Sequence, residues 1–393
     1  MATSVGKVQP NTKLRSLEYA RGIAVLLVCV GHYVMIHPIS YVPVNFFIRV
    51  IVLSGMPLFF VLSGFLLTRQ MSVYKNTSDT YGSSDSPNSN SPSISSGSWK
   101  RFFISRIFRI YPAYLVSLLI LGIINHATLH DFFIYALNIH NLFYGHISPI
   151  NPVYWSLAVE WQWYIAFPLL YKLLSGNKYT SITVLFFALF LGFAWRQYLL
   201  YLFDIGTIDF ANLVNFGHFQ LISHVFAFCA GIVCFHYCSK SKELTPVILI
   251  PAIVLCLTGG IFTEIGQSNP RQLWGVHLNL GTLFFLPCGA SIIIAYLSIN
   301  EKDFTGAGKK YFRKLIAGTG KISYSVYLWH YPVFIVLKGF TENIFLNCIF
   351  SFSSVILVSC LSYFLIEKYF LGLKKALLAL VMRDTKYSLT TTG

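Results

Sequence analysis

The stretch Leu17–His37, LEYARGIAVLLVCVGHYVMIH, decides the fold. Gly22 to Gly31 is an unbroken apolar run, and with its flanks it supplies the roughly 20 residues that a helix needs to cross a bilayer. A barrel strand would instead alternate over about ten residues. Glu18, Arg21 and His32 are ionisable groups within this stretch. Ionisable groups in hydrocarbon are expensive, so each is a functional candidate.

Similar runs recur to Leu371, centred in 17–37, 45–68, 106–125, 152–173, 181–202, 215–238, 245–262, 273–298, 321–339 and 344–370. Of the 393 residues, 55% are hydrophobic and 11% charged, against roughly 25% charged in soluble domains. The sequence therefore predicts an all-α, polytopic transmembrane helical bundle of about ten spans.

The net charge of +15 is carried by bases concentrated in alternate connecting segments. Arg69, Lys100, Arg101, Arg106 and Arg109 fall in one, and Lys374, Lys375, Arg383 and Lys386 in another. The positive-inside rule then puts the N- and C-termini in the cytoplasm, with Arg49, Arg196, Arg271 and Lys338 at outer span ends. No basic stretch interleaves with exposed aromatics on a soluble domain, which argues against nucleic acid as a partner. The eight cysteines show no Cys-x-x-Cys pair and no metal-ligand spacing, so they read as small packing residues and no metal is expected. Met1–Lys13 is polar and has no apolar core of a cleavable signal.

One transmembrane domain, 1–375, is expected, followed by a cytoplasmic tail, 376–393. Within the domain, residues 69–100 are rich in Ser, Asn, Gly, Asp and Pro and read as a disordered cytoplasmic loop. Residues 126–151, with His126, His130, His140 and His146, fall outside; the amphipathic run Phe132–Phe143 suits the interface or a dip into the bilayer.

Arg21 and His32 are eleven residues apart, three turns plus about 20°, so both project from one helical face about 16 Å apart along the axis. Glu18, three residues earlier, can pair with Arg21. An imidazole at His32 can serve as general base towards a hydroxyl, or be transiently acylated. A buried histidine bonded to a backbone carbonyl fits the sequence equally well.

Arg106 and Arg109 share a face at the start of the third span. Guanidinium forks match phosphate geometry and suit a polyanion such as a nucleotide; a plain positive-inside anchor fits as well. In Trp155-Ser156-Leu157-Ala158-Val159-Glu160, Glu160 lies about two turns below the surface, near the depth of His32, and can hold a histidine or an acceptor hydroxyl. The surrounding tryptophans suit an interfacial belt or a sugar-stacking platform. In the ninth span, Ser323, Tyr324, Tyr327 and His330 form a polar face at spacings of three and four. The glycines of Gly55–Phe65 permit close helix approach.

These elements, in this order, resemble the acyltransferase-3 family of membrane O-acyltransferases, from Leu14 to about Lys368. The family's basic residue, ten positions and histidine fall on Arg21 and His32, its paired arginines on Arg106 and Arg109. Trp-Ser-Leu-x-x-Glu falls on Trp155 to Glu160, Tyr-Leu-Trp-His-x-Pro on Tyr327 to Pro332, and Leu-Ile-Glu-Lys on Leu365 to Lys368. Departures are Glu18, where the family commonly has Asp, and Tyr369, where it often has Pro.

The resemblance implies an O-acetyltransferase of the bacterial inner membrane. Acetyl-CoA, the family's default donor, is its donor substrate, with succinyl or a longer acyl group left open by the sequence; no resident cofactor is implied, and the donor phosphates meet Arg106, Arg109 and Arg21. The acceptor is a hydroxyl of a cell-surface carbohydrate: O-antigen, capsule, exopolysaccharide or a lipid-linked precursor. His32, Glu160 and His330 would be catalytic, and Glu18, Trp155, Ser156 and Tyr327 would support the acceptor. Transfer is direct or passes through an acyl-histidine. The alternative is a transporter or flippase whose intramembrane Arg, His and Glu form a proton relay. Against it, the sequence shows no repeated half and no paired broken spans. The sequence does not reveal an oligomeric state.

Overall fold

A computed structural model describes residues 14–81, 96–143, 150–175, 177–238, 243–268, 280–301 and 310–378. Among them there are helices and connecting turns and no strand. This is the arrangement hydrocarbon permits, because each helix satisfies its own backbone groups. The central part of the predicted cytoplasmic loop (82–95), His146, Arg271 and the tail beyond Leu378 lie outside the described residues.

The helices are α1 (Arg15–Ile36), α2 (Val42–Val52), α3 (Gly55–Tyr81), α4 (Ser96–Ile124), α5 (Leu129–Ala136), α6 (Tyr154–Leu174) and α7 (Lys178–Asp204). Then come α8 (Phe210–His218), α9 (Val225–Cys238), α10 (Leu249–Ser268), α11 (Leu286–Ile299), α12 (Lys310–Lys321), α13 (Ser323–Leu337) and α14 (Ile344–Ser362). Among the described residues, seven stretches are long and apolar enough to cross a membrane: Arg15–Ile36, Val42–Tyr74, Ser98–Ile124, Lys178–Asp204, Pro246–Gly266, Leu280–Ile299 and Ile344–Leu378. Three more predicted spans coincide with α6, α9 and α13. The latter two have only 14 and 15 residues, and α6 is diluted by tryptophan, tyrosine, Gln162 and Glu160. Two of these three, α6 and α13, carry the polar motifs of the sequence.

Three boundaries differ from the sequence reading. The predicted span 45–68 is split at Leu53–Ser54, where the Ser54 hydroxyl donates back to the Ile51 carbonyl at 2.7 Å. Pro57 then sits in the first turn of α3, where a missing N–H costs nothing. Helix α3 does not end at Arg69 but runs to Tyr81, and α4 begins at Ser96.

The predicted span 215–238 is also interrupted, between α8 and α9. The sequence, in which no paired broken spans are seen, does not mark this break. The break is met by the segment 128–143, whose Asn141 reaches Phe219. Helix α5, opened by a Thr128–Asp131 capping box, folds back along α4. The Tyr114 hydroxyl donates to the Tyr135 carbonyl at 2.7 Å, while Asn125, eleven residues and about 16 Å further along α4, reaches the Ile150 carbonyl. At the tip, Asn141 Nδ2 donates to the Phe219 carbonyl at 2.9 Å, and Gln162 Nε2 to Asn141 Oδ1 at 2.8 Å. Non-helical backbone at membrane depth is tolerated only when such partners bury it. The run Phe132–Phe143 packs against the bundle, with Ile134, Tyr135 and His140 buried.

Arg196 was expected at an outer span end. It is 1% exposed, buried within the bundle. Its Nε donates to the Gly217 carbonyl at the end of α8 at 2.9 Å, and Nη1 bonds Thr282. The carbonyl end of a helix is where a cation is stabilised.

Two packings set the register of the site. Helix α3 crosses α9 glycine to glycine: a Cβ on Gly64 would stand 2.1 Å from the Phe228 carbonyl oxygen, and one on Gly231 2.1 Å from that of Val61. Gly55 lies against Ala24, Leu27 and Val28, which fixes α3 beside α1. The N-terminus of α1 has no side-chain cap of its own, its N-cap residue being Leu14. The Glu301 carboxylate supplies it from the far end of the chain, accepting Arg15 N at 2.7 Å and Ser16 N at 3.0 Å. Orphan N–H groups and helix dipole both favour an anion there.

Candidate active site

Helices α1, α3, α4, α6 and α13 enclose a cavity. Arg21, Arg106 and Arg109 line it together with Glu160 and Ser156. Three arginines from two helices, separated by up to 88 residues, thus face one space. Their mutual repulsion is relieved on one side by Glu160, the acidic group that acts on Arg21. The sequence had offered Glu18 for that role. Glu18, one turn before Arg21, has its backbone carbonyl against Gly320 of α12.

The other walls hold the arginines in place. Arg106 bonds the Gln70 side chain of α3, and its guanidinium lies 5.7 Å from the Phe102 ring centre and 5.6 Å from that of Tyr164. Such stacking keeps a cation attractive in an apolar wall. Arg109 feels Glu367, a buried carboxylate that accepts the Ser325 hydroxyl. Glu367 ends a π turn, Tyr363–Glu367, that continues α14.

Glu160 itself accepts the Ser63 hydroxyl at 3.2 Å and the Tyr164 hydroxyl. It therefore meets α3 and its own next turn, and no contact ties it to His32. The sequence reading missed both partners. Tyr164 stands four residues after Glu160, a spacing that places them on one face and was legible. Ser63 was hidden within a segment read as packing.

His32 does not line the cavity. Its Nδ1 lies 2.9 Å from Nε2 of His330. The other nitrogen of His330, Nδ1, lies 2.8 Å from the Tyr327 carbonyl and 3.1 Å from the Val326 carbonyl. Carbonyls only accept, so His330 Nδ1 carries the proton and its Nε2 offers a lone pair. With both rings neutral, His32 Nδ1 must then be the donor. The lone pair of His32 is left on Nε2, the form a base or nucleophile needs. The hydrogen-bond network thereby assigns one tautomer to each ring.

Tyr327 joins the two regions. It lines the cavity, and its hydroxyl donates to the Val153 carbonyl at 2.9 Å and meets Ser156 Oγ. Its ring centre is 5.6 Å from that of His330. Trp155 is 8% exposed and enclosed by Phe219, His224, His218 and Phe60. Trp163 is fully buried against Phe228. These two tryptophans are packing residues of the interior rather than an exposed belt or platform. Among the described residues, no three His, Cys, Asp or Glu side chains gather as a metal site.

The profile of the acyltransferase-3 family, an acyltransferase domain, matches residues 14–367, nearly all of the chain. The chain belongs to this family. It is an acyltransferase, and its apolar helices make it a multi-pass membrane protein. A protein of Acidianus two-tailed virus named as an acetyltransferase is 27% identical over 302 residues, covering 70% of this chain and 71% of the relative. An uncharacterized protein of Haemophilus influenzae is 30% identical over 151 residues, 33% of this chain and 54% of that protein. No solved structure matches the chain.

Proposed function

We propose that this acyltransferase moves an acetyl group from cytoplasmic acetyl-CoA to a hydroxyl of a cell-surface carbohydrate, and that it does so in a bacterial inner membrane. The observation that carries the reading is the coexistence of a three-arginine cavity with a histidine held in a base-competent tautomer. A cationic cavity suits the phosphates of CoA. The base-competent nitrogen suits a hydroxyl acceptor.

In this reading Arg21, Arg106 and Arg109 hold the donor phosphates, and the flexible arm of CoA carries the thioester towards His32. The acceptor oxygen attacks the thioester carbonyl carbon. A C–O bond forms, the C–S bond breaks, and His32 Nε2 takes the hydroxyl proton and returns it to the departing thiolate. His330 holds the His32 ring, and Glu160 orders the cavity through Ser63 and Tyr164. Transfer through an acyl-histidine would use the same nitrogen. Ten spans with both termini cytoplasmic complete the proposal, supported by the alternation of basic segments.

Replacing His32 with Ala should abolish O-acetylation of surface glycans, read by mass spectrometry, while membrane insertion persists. Unchanged acetyl content would sink the assignment. The interrupted span also suits a transporter. Uptake of a labelled glycan precursor by liposomes carrying the pure protein, without acyl turnover, would favour that second reading.

A further inference from the structure

The cavity is chemically two-ended. Along α3, Ser63 bonds Glu160 and Gln70 bonds Arg106, with Leu66 and Leu67 between them, while Met56, Phe59 and Phe60 line the cavity towards Gly55. From Leu67 to Met56 is eleven residues, about 16 Å along α3. Because Gly55 abuts Ala24, Leu27 and Val28, the Met56 end lies about one turn of α1 short of His32. Phe59 also lines the cavity and sets its ring edge-on to Tyr327, centres 6.3 Å apart. Tyr327 is pinned through its hydroxyl and touches His330. An apolar residue pair and a fixed tyrosine therefore line the way from the arginines towards the histidine pair.

We infer that the Met56–Phe59 end is the acyl pocket and that Phe59, backed by Tyr327, limits the donor to short-chain acyl thioesters. The inference rests on the acyl-CoA reading. An acyl group on a donor whose phosphates sit at Arg106 and Arg109 must point along the cavity towards this end. An acetyl methyl fits a site closed by a phenyl ring, whereas a longer chain needs the volume that the ring fills. Each methylene that an apolar pocket fails to accommodate costs about 1–3 kcal/mol, or roughly 10- to 200-fold in discrimination. Neither Met56 nor Phe59 has a group that enters the chemistry, so enlarging the pocket leaves the donor's phosphate contacts in place.

The test uses the full chain in nanodiscs and the dissociation constants of CoA, acetyl-CoA and hexanoyl-CoA for wild type, Phe59→Ala and Met56→Ala. Wild type should bind hexanoyl-CoA at least about tenfold more weakly than acetyl-CoA. Phe59→Ala should close that gap, with CoA itself bound as in wild type. A gap that is absent in wild type, or unchanged in both variants while CoA still binds, overturns the acyl pocket alone. Failure of wild type to bind CoA at all overturns the donor reading as well. Phe59→Leu keeps the bulk of the site, and a fold check by thermal unfolding accompanies every variant. A gap that closes in Phe59→Leu but not in Phe59→Ala would also count against the proposal.

Discussion

Nδ1 of His32 donates to Nε2 of His330 across 2.9 Å, and the two residues are 298 positions apart. The bond is directional, because His330 has already committed its Nδ1 proton to the carbonyls of its own helix. A helical backbone thus sets the tautomer of a side chain on another helix.

Replacing His330 with Ala removes the acceptor that orients His32. The expected result is a fall in kcat of about 10- to 100-fold, the usual scale for a lost orienting partner, with KM for acetyl-CoA unchanged. His330→Gln, whose amide oxygen can accept the same proton, should recover part of the rate. Steady-state kinetics of the three forms decide this.

Arg106 and Arg109 reach the cavity from one helix face. Each Ala substitution should raise KM for acetyl-CoA by roughly 10- to 100-fold, corresponding to about 1.5–3 kcal/mol for a charged hydrogen bond. The wild-type KM should rise with ionic strength more steeply than that of the double variant. Equal salt dependence in both would place the donor elsewhere.

Glu367, 6% exposed in the turn Tyr363–Glu367, lies within electrostatic range of Arg109. Glu367→Gln keeps an acceptor for Ser325 but removes the charge beside Arg109. Donor KM should change while kcat stays within about threefold, since an interaction made equally in ground and transition states moves KM alone. A pure loss of kcat would instead assign Glu367 to the chemical step.

Glu301 caps α1 from a distance of 285 residues in sequence. Glu301→Ala should lower stability by about 0.5–2 kcal/mol, the range for a lost helix cap. Thermal unfolding in detergent reads the shift. Activity at low temperature should persist, because Arg21 and His32 lie beyond the first turn of the helix.

The candidate residues were legible because the bilayer makes them conspicuous. Arg21, His32, Glu160 and His330 each interrupt an apolar run, and such interruptions are too costly to be casual. The break at Phe219–His224 was not legible, since no proline marks it and its backbone is satisfied by Asn141, 78 residues away. The burial of Arg196 escaped for a similar reason. Its partners, the Gly217 carbonyl and the Ser223 and Thr282 hydroxyls, carry no charge pattern.

The sequence by itself determined that the chain is helical and membrane-embedded, and that one helix carries an arginine and a histidine on a shared face. Apolar length and a 3.6-residue period are local properties, readable from neighbours along the chain. Only the tertiary structure decided that Arg21 opens into a cavity with Arg106, Arg109 and Glu160 while His32 leaves that cavity to meet His330. Periodicity tells which face a residue occupies. Which helix covers that face depends on packing, here on glycines such as Gly55 and Gly64 that let α3 approach α1 and α9 closely enough to set the register.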